Sequence, residues 1–208
     1  MTTVILVRHG ATDWNLAFRA QGHADIALND TGRRQARAAA QHLSDRRVDA
    51  VYSSDLRRAS DTAREIAGRH GLEVIHEPAF REIDQGEWTG LDDADIRARW
   101  PGMWEERHRT ARPGGESPAQ VRRRAVAALE SIVSARPHDA VVLVSHGVTI
   151  RGLIAEALGF PQDRSGRLRG LANGGIVTFE ARRQDGALVF EGLQRLDGRA
   201  PANEDPNA

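Results

Sequence analysis

Three short apolar runs, each ending in a charged or polar cluster, most constrain what this chain can fold into: Thr3 to Val7, Val48 to Ser53 and Ala140 to Ser145. Each is continuous or nearly continuous in apolar residues and bounded by polar ones, which predicts buried strands. Longer helical patterns separate them. Ala36, Ala39, Ala40 and Leu43 follow the i, i+3, i+4, i+7 spacing behind Asn29 or Asp30 as N-cap. Leu56, Ala59, Ala63, Ile66 and Ala67 repeat the period directly after the second run, so a helix opens where Arg57 sits.

The strongest helix signal spans Ser117 to Arg136. Ser117 caps, Pro118 takes the first helical position, Gln120 completes a capping box, and Val121, Ala125, Ala128, Leu129 and Ile132 form the stripe. A further helix covers Thr149 to Leu158 and stops at Gly159 and Pro161. Ile176 to Ala181 and Ala187 to Gln194 then read as an edge hairpin around Gln184, Asp185 and Gly186. Strands alternating with helices predict an α/β fold of three αβα layers, its central sheet mostly parallel with an antiparallel edge strand. Residues 84–115 differ in kind. They hold three of the four tryptophans, mixed charges and several Pro and Gly, and are expected to form a cap-like insertion in a single domain spanning 1–197. Residues 198–208 have no core-forming side chains and are expected to be a disordered tail.

Composition narrows the chemistry. The 29 basic side chains balance 29 acidic ones. A neutral chain argues against a nucleic-acid or anionic-membrane partner. All the basic residues are arginine, which removes Schiff-base and P-loop lysines, and with no cysteine there is no thiol nucleophile, Cys-containing zinc site or disulfide. No apolar run approaches the roughly 18 residues of a spanning helix. The N-terminus lacks a basic leader region, so a cytoplasmic location is expected.

In open α/β sheets ligands bind outside the carboxyl ends of the strands. Here the three runs end in Arg8-His9-Gly10, in Ser53-Ser54-Asp55-Leu56-Arg57, and in Ser145-His146-Gly147. Two arginines and two histidines at one sheet edge suit phosphoryl transfer. A neutral imidazole can attack phosphorus, and arginine forks match the equatorial oxygens of the transferring group. Helix N-termini after each strand would add donors.

The extended motif R-H-G-A-T-D-W-N, with S-D-L-R-R-A and S-H-G at the matching strand ends, resembles the histidine phosphatase superfamily, phosphoglycerate mutase-like branch. The resemblance runs from Val4 to about Gly175 and implies a phosphoglycerate mutase-like fold. It implies that His9 is the nucleophile that becomes phosphorylated, that Arg8, Arg57 and His146 form the phosphate pocket, and that Asn15 also reaches the phosphate. Glu82, in F-R-E-I-D-Q-G, matches the general acid and is preferred over Asp84. Gln21 and Gly22 occupy a substrate-contacting position, with Arg19, Thr12 and His23 nearby. Arg58 is assigned to a surface or structural ion pair, because neighbouring helical positions point about 100° apart. Arg122, Arg123 and Arg124 read as a solvated face, and the histidines outside the motifs as structural. Trp88 and Trp104 are expected in the core or bordering a substrate.

The implied activity is a metal-independent, cofactor-free hydrolysis of small phosphomonoesters through phosphohistidine. Two rivals stay open. A cofactor-dependent phosphoglycerate mutase shares the pocket, but E-I-D-Q-G and Gln21-Gly22 depart from the mutase pattern. A non-catalytic phospho-ligand binder would not need both His9 and Glu82. The expected partner is a small phosphorylated metabolite, and a homodimer stays open on base rates alone.

Overall fold

The computed structural model describes residues 1–161, 168 and 170–196; the expected tail lies outside them. Strands β1 (Thr2–Arg8), β2 (Ala50–Ser53), β3 (Val74–His76), β4 (Ala140–Ser145), β5 (Ile176–Gln184) and β6 (Ala187–Arg195) form one sheet in the order β3-β2-β4-β1-β5-β6. The first four pair in parallel, while β5 runs antiparallel to both β1 and β6. The expected hairpin therefore closes one edge, with the reversed strand one place in from it. Its turn uses Asp185 and Gly186 at φ 52° and 83°, the left-handed pair that suits a two-residue hairpin loop. The three-residue β3 is too short to read from its sequence.

The near-continuous apolar runs are explained by the sheet's two covered faces. Val4 and Leu6 of β1, with Val141 and Leu143 of β4, pack toward α6 (Pro118–Ala135) and α7 (Gly147–Ala157). The alternating residues Ile5, Val7, Val142 and Val144 pack toward α2 (Asp30–Leu43) and α3 (Arg57–His70). All eight are essentially buried. Truncating one of the leucines to alanine would cost about 2–5 kcal/mol.

Local signals set the helix ends. Asn29, rather than Asp30, caps α2 by accepting from the Gly32 amide. Ser117 and Gln120 make the expected capping box of α6. Helix α7 begins two residues before the expected Thr149, so His146 itself is its N-cap residue. Residues 84–115 contain α4 (Asp93–Arg99) and α5 (Pro101–Glu105), with a small core of Trp88, Ile96 and Trp104. Bonds from the Ala20 amide to the Leu91 carbonyl and from the Gly90 amide to the Ala20 carbonyl stitch this cap to the loop after α1 (Asp13–Leu16).

Candidate active site

The register of β1 against β4 pairs Arg8 with Ser145, and the His9 amide donates to the Ser145 carbonyl at 3.0 Å. Consequently His9 and His146 emerge side by side, their rings 5.0 Å apart and tilted by 58°. Nδ1 of His9 lies 2.6 Å from the Gly10 carbonyl. A carbonyl only accepts, so Nδ1 carries the proton and Nε2 keeps its lone pair. Gly10 permits this tight turn: a Cβ there would fall 2.2 Å from the carbonyl oxygen of Gly32. The Asn173 side chain donates to the His9 carbonyl at 3.0 Å and completes its support.

Burial, then the charge of Arg58 and then that of Arg8, pushes the His9 imidazole well below the usual histidine range. Burial and Arg58 do the same to His146, whose two ring nitrogens are buried without a hydrogen-bond partner. Both rings are therefore neutral at pH 7. Arg8 donates from Nη1 to the Leu171 carbonyl at 2.6 Å, and its own pKa is lowered by burial.

The arginine that α3 contributes is Arg58, a correction to the expectation of Arg57. Arg57 is 63% exposed and faces Asp61 at 3.6 Å. It lines a separate groove of about 550 Å³ with Arg33, Arg64 and Arg69, away from both histidines. Arg58 is only 1% exposed, and burial brings its pKa down to about 10. The helix begins at Arg57, so the 100° step turns the second arginine inward and the first outward. The neighbour rule was right about divergence and wrong about which residue faces in.

Gln21 and Gly22 hold this arrangement rather than line the cavity. Gln21 accepts from the Thr12 hydroxyl at 3.0 Å, while the Gly22 carbonyl accepts from Nη2 of Arg58 at 2.8 Å. Thr12 caps α1 in a reciprocal box with Asn15, and Asn15 lines the cavity.

Glu82 follows the short 3₁₀ turn Pro78–Phe80. Its carboxylate accepts from the Val148 amide at 3.1 and 3.2 Å, at the N-terminus of α7, and from its own neighbour Ile83 at 2.9 Å. A Cβ on Gly147 would touch Glu82 Oε2 at 3.5 Å and Arg8 Cζ at 3.6 Å, so both groups converge on one glycine. Asp84 is engaged elsewhere: its Oδ1 accepts from the Gly86 amide, and Oδ2 faces His23 at 3.9 Å.

The loop carrying Glu82 is braced by residues the sequence reading treated as surface. Nη1 of Arg124 donates to the carbonyls of Ala79 and Arg81, Nη2 donates to that of Glu82, and the guanidinium grips the Glu116 carboxylate. Arg122 pairs with Glu156 at 2.6 Å, leaving Arg123 as the exposed member of the run. His23 contributes Nε2 to the Glu82 carbonyl at 2.9 Å, and Arg81 forms a two-pronged pair with Asp55 that holds the Asp55 carboxyl below its usual range.

The cavity above these groups has a volume of about 590 Å³ and is lined on the β-sheet side by Arg8, Asn15, Glu82 and Asn173. The cap side brings Trp88, Trp104, Arg107 and Arg112, while α7 brings Arg151. Trp88 and Trp104 thus serve both core and pocket wall. Arg151 and Asn173 were missed by the sequence reading. Arg151 carried a usable signal, since it lies four residues after Gly147 and one helical turn places it on the same face. Seven buried side-chain nitrogens among the described residues have no hydrogen-bond partner, and five belong to Arg8, Arg58, His146 and Arg151. Such a concentration of buried donors suits an oxyanion.

Comparison with known proteins agrees with this geometry. A glucosyl-3-phosphoglycerate phosphatase of Mycobacterium tuberculosis is 39% identical over 206 residues, covering 93% of this chain and 92% of that protein. Phosphoserine phosphatase 1 of Hydrogenobacter thermophilus is 40% identical over 163 residues, 76% of this chain and 77% of that protein. The solved structure of a mycobacterial glucosyl-3-phosphoglycerate phosphatase with VO3 superposes with a TM-score of 0.85 at 34% identity, covering 97% of this chain and 99% of that one. The family model for the histidine phosphatase superfamily, branch 1, matches residues 4–193, and the chain belongs to that family.

Proposed function

We propose that the protein hydrolyses small phosphomonoesters through a phosphohistidine at His9. The observation that carries this reading is the bond from Nδ1 of His9 to the Gly10 carbonyl, which leaves Nε2 unprotonated among Arg8, Arg58 and His146. Nε2 attacks phosphorus in line, and the P–O bond to the alcohol breaks. Arg8, Arg58, His146 and Asn15 hold the equatorial oxygens, where fixed donors stabilise the charge that develops. Glu82 in its acid form delivers a proton to the departing alkoxide. It then takes one from the water that attacks phospho-His9, which releases phosphate and restores the imidazole. Each step uses side chains of this chain.

The relatives named above act, by their names, on phosphoserine and glucosyl-3-phosphoglycerate. They support a small phosphorylated metabolite as substrate. The equal numbers of acidic and basic side chains support an enzyme with no nucleic-acid or anionic-membrane partner. Among the described residues no helix is long and apolar enough to cross a membrane.

Incubation with p-nitrophenyl phosphate tests the reading: it expects p-nitrophenol and inorganic phosphate in equal amounts. A second arm with 3-phosphoglycerate, with and without 2,3-bisphosphoglycerate, expects phosphate release. Isomerisation to 2-phosphoglycerate without net phosphate release would make the protein a mutase instead.

A further inference from the structure

Helix α1 ends in a reversal of the kind that glycine usually fills. The Arg19 amide donates to the Trp14 carbonyl at 2.9 Å and the Phe18 amide to the Asn15 carbonyl at 3.3 Å, the two bonds that close a Schellman turn. Such a turn holds the residue after the C-cap in the left-handed region. Ala17 is the C-cap, so that residue is Phe18, at φ 51°. Among the described residues, the other non-glycine positions at positive φ are His138 and Asp185, types that enter this region comparatively often. A bulky side chain there is an outlier, because the left-handed backbone crowds its Cβ against the following carbonyl. The reversal requires the conformation and not the phenylalanine.

Packing does not account for the ring either. Phe18 is 75% exposed, and among the described residues it meets no second aromatic ring and no guanidinium. Leu16 is exposed as well, but it has an ordinary helical backbone and lies outside the cavity lining, and a single surface leucine needs no explanation. Phe18, in contrast, lines the cavity of about 590 Å³ beside Trp14 and Asn15. Trp14 is half-buried and backed by the cap, since a Cβ on Gly90 would fall 3.4 Å from its indole. Phe18 therefore stands where the cavity opens to solvent, three residues on from Asn15.

An apolar ring left in water on a strained backbone contributes little to the folded state. Glycine would relieve the backbone, and a polar side chain would suit the exposure. Phe18 does neither. Strain of this kind persists at ligand sites, where it holds a side chain in place for a partner.

We propose that Phe18 is a specificity-determining residue, which packs against an apolar face of the alcohol part of the substrate and so favours phosphomonoesters whose alcohol carries a hydrocarbon or aromatic group. The proposal rests on the phosphomonoesterase reading in one respect, that the phosphoryl group lies among Arg8, Arg58, His146 and Asn15. From there the alcohol part extends through the same cavity and meets the ring at its opening. Because the ring is uncovered beforehand, contact with an apolar group removes both surfaces from water. A hydroxylated or charged end at the same place gains nothing from it.

The test compares kcat/KM for propyl phosphate and 3-phenylpropyl phosphate, which share a primary alkoxide leaving group and differ in the terminal ring. In the unmodified protein the phenyl ester should exceed the propyl ester by about threefold to tenfold, the worth of one aromatic contact. In Phe18→Ala and Phe18→Gly the ratio should fall toward one through a higher KM for the phenyl ester rather than a lower kcat, and Phe18→Tyr should keep it. Because the ratio is internal to each enzyme, partial loss of folded protein does not disturb it. Thermal unfolding supplies a second readout: Phe18→Gly should unfold about 2–4 °C above Phe18→Ala, since glycine takes the left-handed conformation without strain. Equal kcat/KM for the two esters in the unmodified protein, or a preference that survives both Phe18→Ala and Phe18→Gly, overturns the proposal. A Phe18→Gly midpoint at or below that of Phe18→Ala overturns the strain on which it stands. Hydrolysis of p-nitrophenyl phosphate by the same preparation separates this failure from failure of the phosphatase reading: turnover of that ester without preference between the alkyl esters overturns the role of Phe18 alone, and no turnover of any ester overturns both.

Discussion

Arg58 donates to the carbonyls of Gly22 and Ala24 at 2.8 and 2.7 Å, and from there its charge acts on both His9 and His146 while Arg57 turns to solvent. Gly22 sits at φ 49°, and a Cβ there would fall 2.8 Å from the Gln85 amide, so the loop that offers these carbonyls needs glycine. Arg58→Ala should lower kcat/KM by about a hundredfold or more, as loss of a fixed donor to a phosphoryl group does. Arg57→Ala should stay within about threefold, because exposed ion pairs contribute little. Steady-state kinetics on both variants would reverse the assignment if Arg57→Ala were the more damaged.

Arg124 reaches the active site only through backbone. It ties the carbonyls of Ala79, Arg81 and Glu82 to Glu116, whose Oε2 in turn accepts from the Asp84 amide. Arg124→Ala should cost about 2–3 kcal/mol of stability, from several lost bonds and carbonyls left without donors. It should also lower kcat by about tenfold to a hundredfold with a smaller change in KM, since misplacing an acid by a fraction of an ångström penalises the chemical step. Arg124→Lys should recover only part of this, because one ammonium cannot span the fork. A variant with reduced stability and normal kcat would show that the residue braces the fold alone.

The two buried histidines make stability depend on pH. In the folded chain both lie well below the ordinary value, whereas in the unfolded chain they titrate near about 6.5. Below that pH the unfolded chain binds more protons, so the stability these groups contribute is complete above about 6.5 and is lost as pH falls toward their depressed folded values. Each group removes up to about 1.4 kcal/mol per pH unit in that window. The unfolding midpoint should therefore drop by several degrees between pH 7.5 and 5.0. A His9→Asn/His146→Asn variant should show a flatter dependence over the same interval. An unchanged slope in that variant would mean that other groups set the acid sensitivity.

Much of the scaffold was legible because its signals are local. The capping box at Ser117 and Gln120, the period of Ala36 to Leu43 and the apolar runs of β1 and β4 each depend on neighbours in sequence. The same holds for His9, His146 and Glu82, which lie at strand ends or in a recognisable loop. What failed depended on rotation or on distant partners. Choosing between Arg57 and Arg58 required the helix phase, which a start marked by Leu56 without a side-chain cap does not announce. Arg124 read as surface because its acceptors are carbonyls some 42 to 45 residues away. The resemblance puts Gln21 and Gly22 at a substrate-contacting position, yet their bonds go to Thr12 and Arg58. The cap arginines gave no period or spacing to read, since Trp88 and Trp104 orient them only in three dimensions.

The central claim is that Nε2 of His9 accepts the phosphoryl group, since Nδ1 is committed to the Gly10 carbonyl. Rapid acid-free quenching of the enzyme with ³²P-labelled substrate, followed by peptide mapping at alkaline pH, measures this directly. The account predicts label on the peptide containing His9, released by acid, resistant to alkali and absent from His9→Ala. Label on another residue, or full turnover by a clean His9→Ala preparation, would contradict it.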